Sequence, residues 1–321
     1  MGYFFSCDWG TSNLRLRLVN ELGEIVIDRH SDNGIAKIFA LWQQETTATD
    51  SSRPAFYLHF VQQEINQVET KLNRSLAGVP VIMSGMGSSS IGFLELPYKN
   101  VPVSLLDPDL VVEKINISQF PHLLLLISGI STSDDVMRGE EMQLIGIANL
   151  SASPDMIYIM PGTHSKHVFV EKNEIVGFKT FMTGEFFELL SQKSILNASV
   201  ENGRIVPFNK NAFRTGIDEA LQTNLLNGSF SVRTNIIFGK IDKTANYDYL
   251  SGLLIGNELK YLAGNGSFKN ITLIAGRNLA ERYLCAFEHL GISVIISDPD
   301  ERLADAIVAR GHYKLYQKTF L

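Results

Sequence analysis

The strongest constraint on the fold is a pattern that the chain runs through twice. Tyr3 to Asn13 reads YFFSCDWGTSN, an apolar run that delivers Asp8 and then a small polar turn of Gly10, Thr11, Ser12 and Asn13. A short apolar run closed by Gly and Ser/Thr reads as a buried strand entering a tight turn. Met156 to Lys166 has the same order, with MIYIM followed by Pro161-Gly162-Thr163-His164-Ser165-Lys166. A hairpin pattern follows each turn: Leu14 to Val19 and Ile25 to Ile27 around Glu21–Glu24, then Val168 to Val170 and Ile175 to Met182 around Glu171–Glu174. Gly10-Thr11 matches Gly162-Thr163, and Glu24-Ile25-Val26 matches Glu174-Ile175-Val176, with two residues fewer in the second hairpin. Two copies of one unit predict a pseudo-symmetric pair of α/β domains with their turns opposed across a cleft. Glycine lets such a turn bend sharply, so that N–H and hydroxyl groups face an anion such as phosphate. Asp8 then stands where a hydrated Mg²⁺ would sit beside it. Taken alone, the first stretch reads equally as an edge turn with a solvated Asp; its repetition argues against that.

The 321 residues suffice for one large or two medium domains, with 45% hydrophobic and 19% charged residues as in globular proteins. A net charge of −6 argues against a broad nucleic-acid footprint. Cys7 and Cys285 are the only cysteines, which suits a reducing compartment. The start lacks a signal-peptide pattern, and His122 to Ile130 is too short an apolar run to cross a bilayer. The expected location is the cytoplasm. Along the chain, Pro54 to Leu72 has the spacing of an amphipathic helix, and Val79 to Met83 reads as a strand ending in Ser84-Gly85-Met86. Leu123 to Ile127 is a further strand, after which Asp134 or Asp135 caps a helix expected over Val136 to Asn149. Gly184 to Leu196, Ala212 to Leu221 and Tyr249 to Ala263 read as helices, and 46–53 and 197–210 as irregular. Ile271 to Ala275 is a strand running into Gly276, with helices over Ala280 to His289 and Asp298 to Arg310 and a strand at Val294 to Ile296.

Six motifs then fall in one order: Asp-Trp-Gly-Thr-Ser-Asn at 8–13, Met-Arg-Gly-Glu-Glu at 137–141, Met-Pro-Gly-Thr-His-Ser-Lys at 160–166, Met-Thr-Gly-Glu at 182–185, Ser-Gly-Leu-Leu-Ile-Gly at 251–256 and Ala-Gly at 275–276. Together they closely resemble the 2-dehydro-3-deoxygalactonokinase family, sugar-acid kinases of the actin, Hsp70 and hexokinase superfamily, from end to end of the chain. The resemblance implies two actin-like (ribonuclease H-like) domains with mixed sheets, over 1–135 and 136–321, an ATP cleft that closes over substrate, and a last helix that crosses back to the first domain. It implies ATP- and Mg²⁺-dependent phosphorylation of 2-dehydro-3-deoxy-D-galactonate at its 6-hydroxyl in galactonate breakdown, and dimerisation. A kinase of the same fold for another sugar or keto-deoxy acid, and a nonenzymatic nucleotide or sugar sensor, are the alternatives.

Phosphoryl transfer requires charge neutralisation, alignment and a base. The resemblance assigns Gly10, Thr11, Ser12 and Asn13 to the first phosphate motif, Gly162, Thr163, His164 and Lys166 to the second, and Ala275-Gly276 to adenosine. Asp8 is the metal-side carboxylate. Lys166 reads alternatively as an exposed strand-start lysine. Asp134, Asp135, Glu140 and Glu141 share the window for the base; Glu140 is preferred and Asp135 second, against the alternative of helix N-terminal charge. Arg15 or Arg138 suits the sugar-acid carboxylate, with Arg17 on the same strand face as Arg15. Ser84, Gly85 and Met86 are expected near the sugar, and Glu185 at a hydroxyl or, through water, the metal. His164 and His167 lack the further ligands of a zinc site.

Overall fold

The computed structural model describes residues 2–45, 49, 53–148, 155–201, 207–264, 270–296 and 301–320, apart from the side chains of 296 and 301–305. The start of the helix expected from Asp298, most of the loop over 46–53 and residues 202–206 of the irregular stretch lie outside the described residues. The chain divides into two compact units, one of residues 1–152, 172–177 and 305–321, the other of 153–171 and 178–304.

In the first unit, β1 (Tyr3–Trp9), β2 (Leu14–Asn20) and β3 (Ile25–Ser31) form an antiparallel meander, followed by helices α1 (Ile35–Gln44) and α2 (Arg53–Leu72). Next come β4 (Val81–Gly85), the short β5 (Lys99–Asn100) and β6 (Val103–Ser104), β7 (Val112–Ile117), β8 (Phe120–Ile127), β9 (Ile130–Ser131), β10 (Val136–Met137) and α3 (Glu140–Ile147). The main sheet has the order β3-β2-β1-β4-β8-β7, with β1, β4 and β8 parallel. Strand alternation sorts β1 into two faces. Phe5, Cys7 and Trp9 enter a core with Leu14, Leu16, Leu18 and the buried stripe of α2, Tyr57, Leu58, Val61, Ile65 and Val68. On the other face Phe4 stacks on Tyr313 and Tyr316 of the C-terminal helix (Glu301–Phe320). Helix α1 escapes the sequence reading because only Ile35 and Ile38 of its ten residues are buried.

The second unit repeats this plan with β11 (Met156–Met160), β12 (Ser165–Glu171) and β13 (Glu174–Phe181), then α4 (Thr183–Glu188), α5 (Lys210–Gln222), α6 (Leu225–Ile237), α7 (Lys243–Leu259), β14 (Ile271–Leu273), α8 (Arg277–Leu290) and β15 (Ile295–Ile296). The order β13-β12-β11-β14-β15 matches β3-β2-β1-β4-β8 strand for strand, with β11 antiparallel to β12 and parallel to β14. The duplicated unit and the mixed α/β class expected from the sequence are therefore what the sheets show. The tip of the second hairpin, 172–177, groups with the first unit, where Ile175 pairs with Val103.

Two expectations change. Val136–Met137 is a strand and α3 begins only at Glu140, because Gly139 at φ 112° turns the chain in a conformation that side chains resist. Gly184 to Leu196 is also not one helix: α4 ends at Glu188, widens into a π turn over Leu189–Lys193 and is followed by a 3₁₀ turn over Ile195–Ser199. The Ser251–Gly256 motif proves to be a helix crossing. A Cβ on Gly252 would lie 2.8 Å from the Phe213 carbonyl carbon and one on Gly216 2.8 Å from Leu253 N, so α5 and α7 touch backbone to backbone. Within the first unit α3 meets the C-terminal helix in the same way, through Gly146 against Ile307 and Gly311 against Met142. Gly252→Ala should destabilise the protein by about 1–3 kcal/mol in urea unfolding through overpacking. Gly177→Ala, where an added Cβ meets nothing within 4 Å, should stay within about 0.5 kcal/mol.

Candidate active site

Both turns are shaped by a glycine from the helix start that follows the hairpin. In the first, Gly10 N–H donates to Asn13 O at 2.9 Å, and the helix amides of Ile35 and Ala36 donate to the carbonyls of Gly10 and Thr11 at 3.0 and 3.1 Å. Gly34 is pressed so closely on this turn that a Cβ there would lie 2.5 Å from Asn13 N. In the second, Gly162 N–H donates to Ser165 Oγ at 3.4 Å, and Glu185 N–H donates to Thr163 O at 3.0 Å. Here a Cβ on Gly184 would lie 2.5 Å from Gly162 O and 2.7 Å from Thr163 Cα. The buttress is thus part of the repeat, and Gly34 was missed from sequence because it lies 21 residues beyond Asn13 with no motif around it. The amides of Gly10 and Gly162, expected at phosphate, donate within the turns to Asn13 O and Ser165 Oγ.

Asp8, next to last in β1, lies opposite Arg15, in register, with the guanidinium 3.7 Å from Oδ2, a loose pair that leaves the carboxylate partly exposed. Arg17, two residues on, is wholly buried and donates to Asp28 Oδ2 at 3.2 Å, so it is a structural cation. Asp8 is also level with Ser84 of β4, and a Cβ on Gly85 would come within 3.5 Å of Asp8 Oδ1 and one on Gly139 within 3.4 Å of Gly85 Cα. Asp8, Gly85 and the start of α3 therefore share one end of the sheet, the carboxyl ends of parallel strands where ligands bind in open α/β folds. A single hard carboxylate at this place suits Mg²⁺, which keeps several waters and takes one or two carboxylates plus phosphate oxygens. Among the described residues no group of three His, Cys, Asp or Glu forms an all-protein metal cage.

The four carboxylates near α3 separate clearly. Asp134 accepts from the hydroxyls of Thr132 and Ser133, and Asp135 Oδ1 accepts from Val136 N–H at 2.7 Å, so both shape the loop and neither caps the helix. Glu140 Oε2 accepts from Arg138 N–H at 3.2 Å at the mouth of the helix. Glu141 points inward, with both oxygens on Gly139 N–H at 2.9 and 2.7 Å. Burial, reinforced by the neighbouring Glu140, pushes its carboxyl up to about 8. Arg138 is clamped: its guanidinium donates to Ser88 O at 2.5 Å and to the Ser88 hydroxyl, and lies over the Tyr98 ring.

Ser84 is fully buried and its hydroxyl pairs with His312 Nε2 at 2.9 Å, while His312 Nδ1 meets Ser6 Oγ at 2.8 Å. Its side chain therefore faces the C-terminal helix, leaving Gly85 and the half-buried Met86 to line the site. Burial, with the Arg17 charge adding, drives His312 down to about 3, so it bridges the two serines as a neutral imidazole. No motif announced it; a lone polar residue on the inner side of an apolar helix was its only signal.

In the second turn Lys166 is 4% exposed and donates to His164 O at 3.3 Å, which excludes the exposed strand-start lysine. His164 Nε2 and Glu185 Oε2 lie 2.6 Å apart, bringing together two residues expected in different subsites. Helix α8 begins at Gly276 with no side-chain cap, and an added Cβ there would meet nothing within 4 Å, leaving room against the backbone.

Two matching half-sheets, each ending its first strand in a glycine-buttressed turn, define an actin-like α/β protein. Residues 8–311 match the model of the 2-keto-3-deoxy-galactonokinase family, and the chain belongs to that family and is a sugar-acid kinase. It is 33% identical over 301 residues, 91% of each chain, to the 2-dehydro-3-deoxygalactonokinase of Escherichia coli (strain K12). It is 31% identical over 324 residues, 96% of each, to a Rhizobium meliloti (strain 1021) protein named "Probable 2-dehydro-3-deoxygalactonokinase DgoK1". A crystal structure from Sinorhizobium meliloti, described in the same provisional terms, superposes with a TM-score of 0.80 at 29% identity, covering 99% of this chain and 100% of that one. No helix among the described residues is long and apolar enough to cross a membrane.

The Glu141 environment has a measurable consequence. Between the ordinary carboxyl value of 4.5 and about 8 the native state holds a proton that the unfolded chain has released, so this group's stabilisation declines as pH rises through that window. Glu141→Gln keeps an acceptor for Gly139 N–H and removes the titration. The fall in melting temperature between pH 6.5 and pH 8.5 should therefore be smaller in this variant than in the parent.

Proposed function

We propose that the chain transfers the γ-phosphoryl group of ATP to the 6-hydroxyl of 2-dehydro-3-deoxy-D-galactonate, a step of galactonate breakdown in the cytoplasm. The observation that carries this reading is the family match over residues 8–311, which contains both buttressed turns in order. Thr11, Ser12 and Asn13 take oxygens of the transferring phosphate; Thr163, His164 and the buried Lys166 take those of the other phosphates. The open backbone at Ala275-Gly276 receives the adenosine. Asp8 would hold Mg²⁺, which when bound would supply charge neutralisation on the phosphate oxygens.

Arg15, only loosely paired with Asp8, takes the sugar-acid carboxylate. Arg138, held by Ser88 and Tyr98, forms a fixed wall with Gly85 and Met86, and Glu185 orients through His164. Glu140 accepts the proton of the 6-hydroxyl as the oxygen attacks the γ-phosphorus; the bond from that phosphorus to the bridging oxygen breaks, and ADP leaves. Asp135 is the second choice for the base, since its loop precedes the same helix.

The decisive assay couples ADP release to NADH oxidation with galacto and gluco forms of the keto-deoxy acid, and locates the phosphate by ³¹P–¹H correlation. Turnover of the galacto acid with phosphate on C6 is expected; turnover confined to a different acid overturns the assignment. Glu140→Gln should lower kcat by about 10²–10⁴-fold with the KM for ATP little changed. An unchanged kcat in that variant, with a large loss in Asp135→Asn, would move the proton to Asp135.

A further inference from the structure

Behind the second turn, α7 buries a carboxylate near its C-terminal end, as it does Asp248 near its start. Glu258 is 2% exposed, and both of its carboxylate oxygens are engaged by different parts of the unit. Oε1 pairs with His167 Nε2 at 2.8 Å, and Oε2 accepts from Tyr283 Oη at 2.7 Å and from the Thr183 hydroxyl. Tyr283 in turn lies 3.1 Å from Ser165 Oγ, which accepts the Gly162 N–H. A carboxylate only accepts, so the donors line up in one direction: Gly162 N–H to Ser165, Ser165 O–H to Tyr283, Tyr283 O–H to Glu258. Thr183 enters Glu258 from the other side, and its neighbours Gly184 and Glu185 press on and bond to Gly162 and Thr163. The ring is closed. Burial and the Glu258 charge hold the Tyr283 hydroxyl well above its ordinary value, which keeps it a donor.

We propose that Glu258 is a positioning residue that sets the shape of the 162–166 turn for ATP phosphate, acting through Tyr283–Ser165 on one side and Thr183–Glu185 on the other. This rests on the reading that the turn binds ATP phosphate. Such a role differs from plain core support, because loss of the ring alters the turn while β12, α7 and α8 keep their packing. It acts on nucleotide affinity and leaves the sugar acid untouched.

The test is steady-state kinetics on the full chain, with ATP and sugar acid varied separately, in Glu258→Gln, Tyr283→Phe and Thr163→Val. Glu258→Gln replaces an oxygen by an NH₂ facing donors and should raise the KM for ATP about tenfold or more. Tyr283→Phe keeps the ring volume and should raise it about threefold. The KM for the sugar acid should stay within about twofold in both, the span of a weak hydrogen bond. Thr163→Val tests the turn directly. A raised KM for ATP in Thr163→Val with no change in Tyr283→Phe overturns the positioning role and leaves the turn reading standing. No change in any of the three overturns the turn reading, and the proposal with it. A fall in kcat with both KM values constant assigns Glu258 to general support and also overturns the proposal. If Glu258→Gln does not fold, Tyr283→Phe decides.

Discussion

No side chain can stand at residue 34 or residue 184 without displacing the turn beside it. That exclusion is the constraint on which the site depends. Each glycine lets a helix start close enough for its amides to bond the turn's carbonyls, at 3.0 and 3.1 Å in the first copy and 3.0 Å in the second. A tight turn after a strand is by itself free to flex; pinned from behind, it presents one arrangement of hydroxyls and amides. Preorganisation of this kind lets polar groups stabilise a transferring phosphoryl group without reorganising during the reaction.

The polar groups beneath the turns are held by three different devices. His312 is kept neutral and spans Ser6 and Ser84, tying the C-terminal helix to β1 and β4, the strands that carry Asp8 and Gly85. Glu258 collects three donors and fastens β12, α4 and α8 to one point. Glu141 sits on Gly139 N–H and is proton-bearing near neutrality. All three are buried, where an unpaired polar group costs about 1–3 kcal/mol, so each is matched to donors or acceptors on neighbouring elements. The result is rigidity concentrated under the places where ligand is expected.

Much of this was legible beforehand, because strand period and Gly-Thr punctuation are local signals. The repeat, the sheet class and the strand-end positions of Asp8 and Gly276 follow from short-range pattern, whereas the burial of Lys166 does not. What escaped depends on contacts distant in sequence. Gly139 looked like part of a helix because nothing in the residues beside it marks its positive φ. Helix α6 was invisible because Leu226, Phe230 and Ile237 are exposed, so its apolar residues do not mark a buried face. Arg17 and Arg15 alternate alike along β2, and only Asp28 across the sheet and the helix above it separate a structural cation from an accessible one. Glu258 did leave a trace, a carboxylate inside the apolar run LIGNELKYLA, yet its partners lie 25 to 91 residues away.

The two turns share a scaffold and differ in charge, and that difference carries chemical meaning. The first is neutral along Thr11, Ser12 and Asn13 and is preceded by Asp8; the second contains His164 and leads to the buried Lys166. A carboxylate repels phosphate unless a cation intervenes, so the first turn suits the phosphate that arrives with a hydrated metal and is then transferred. A lysine ammonium attracts phosphate directly, so the second suits the phosphates that remain on the nucleotide. Duplication therefore accounts for the geometry of each turn, and in the proposed function the divergence of a few side chains gives the two turns different phosphates to hold.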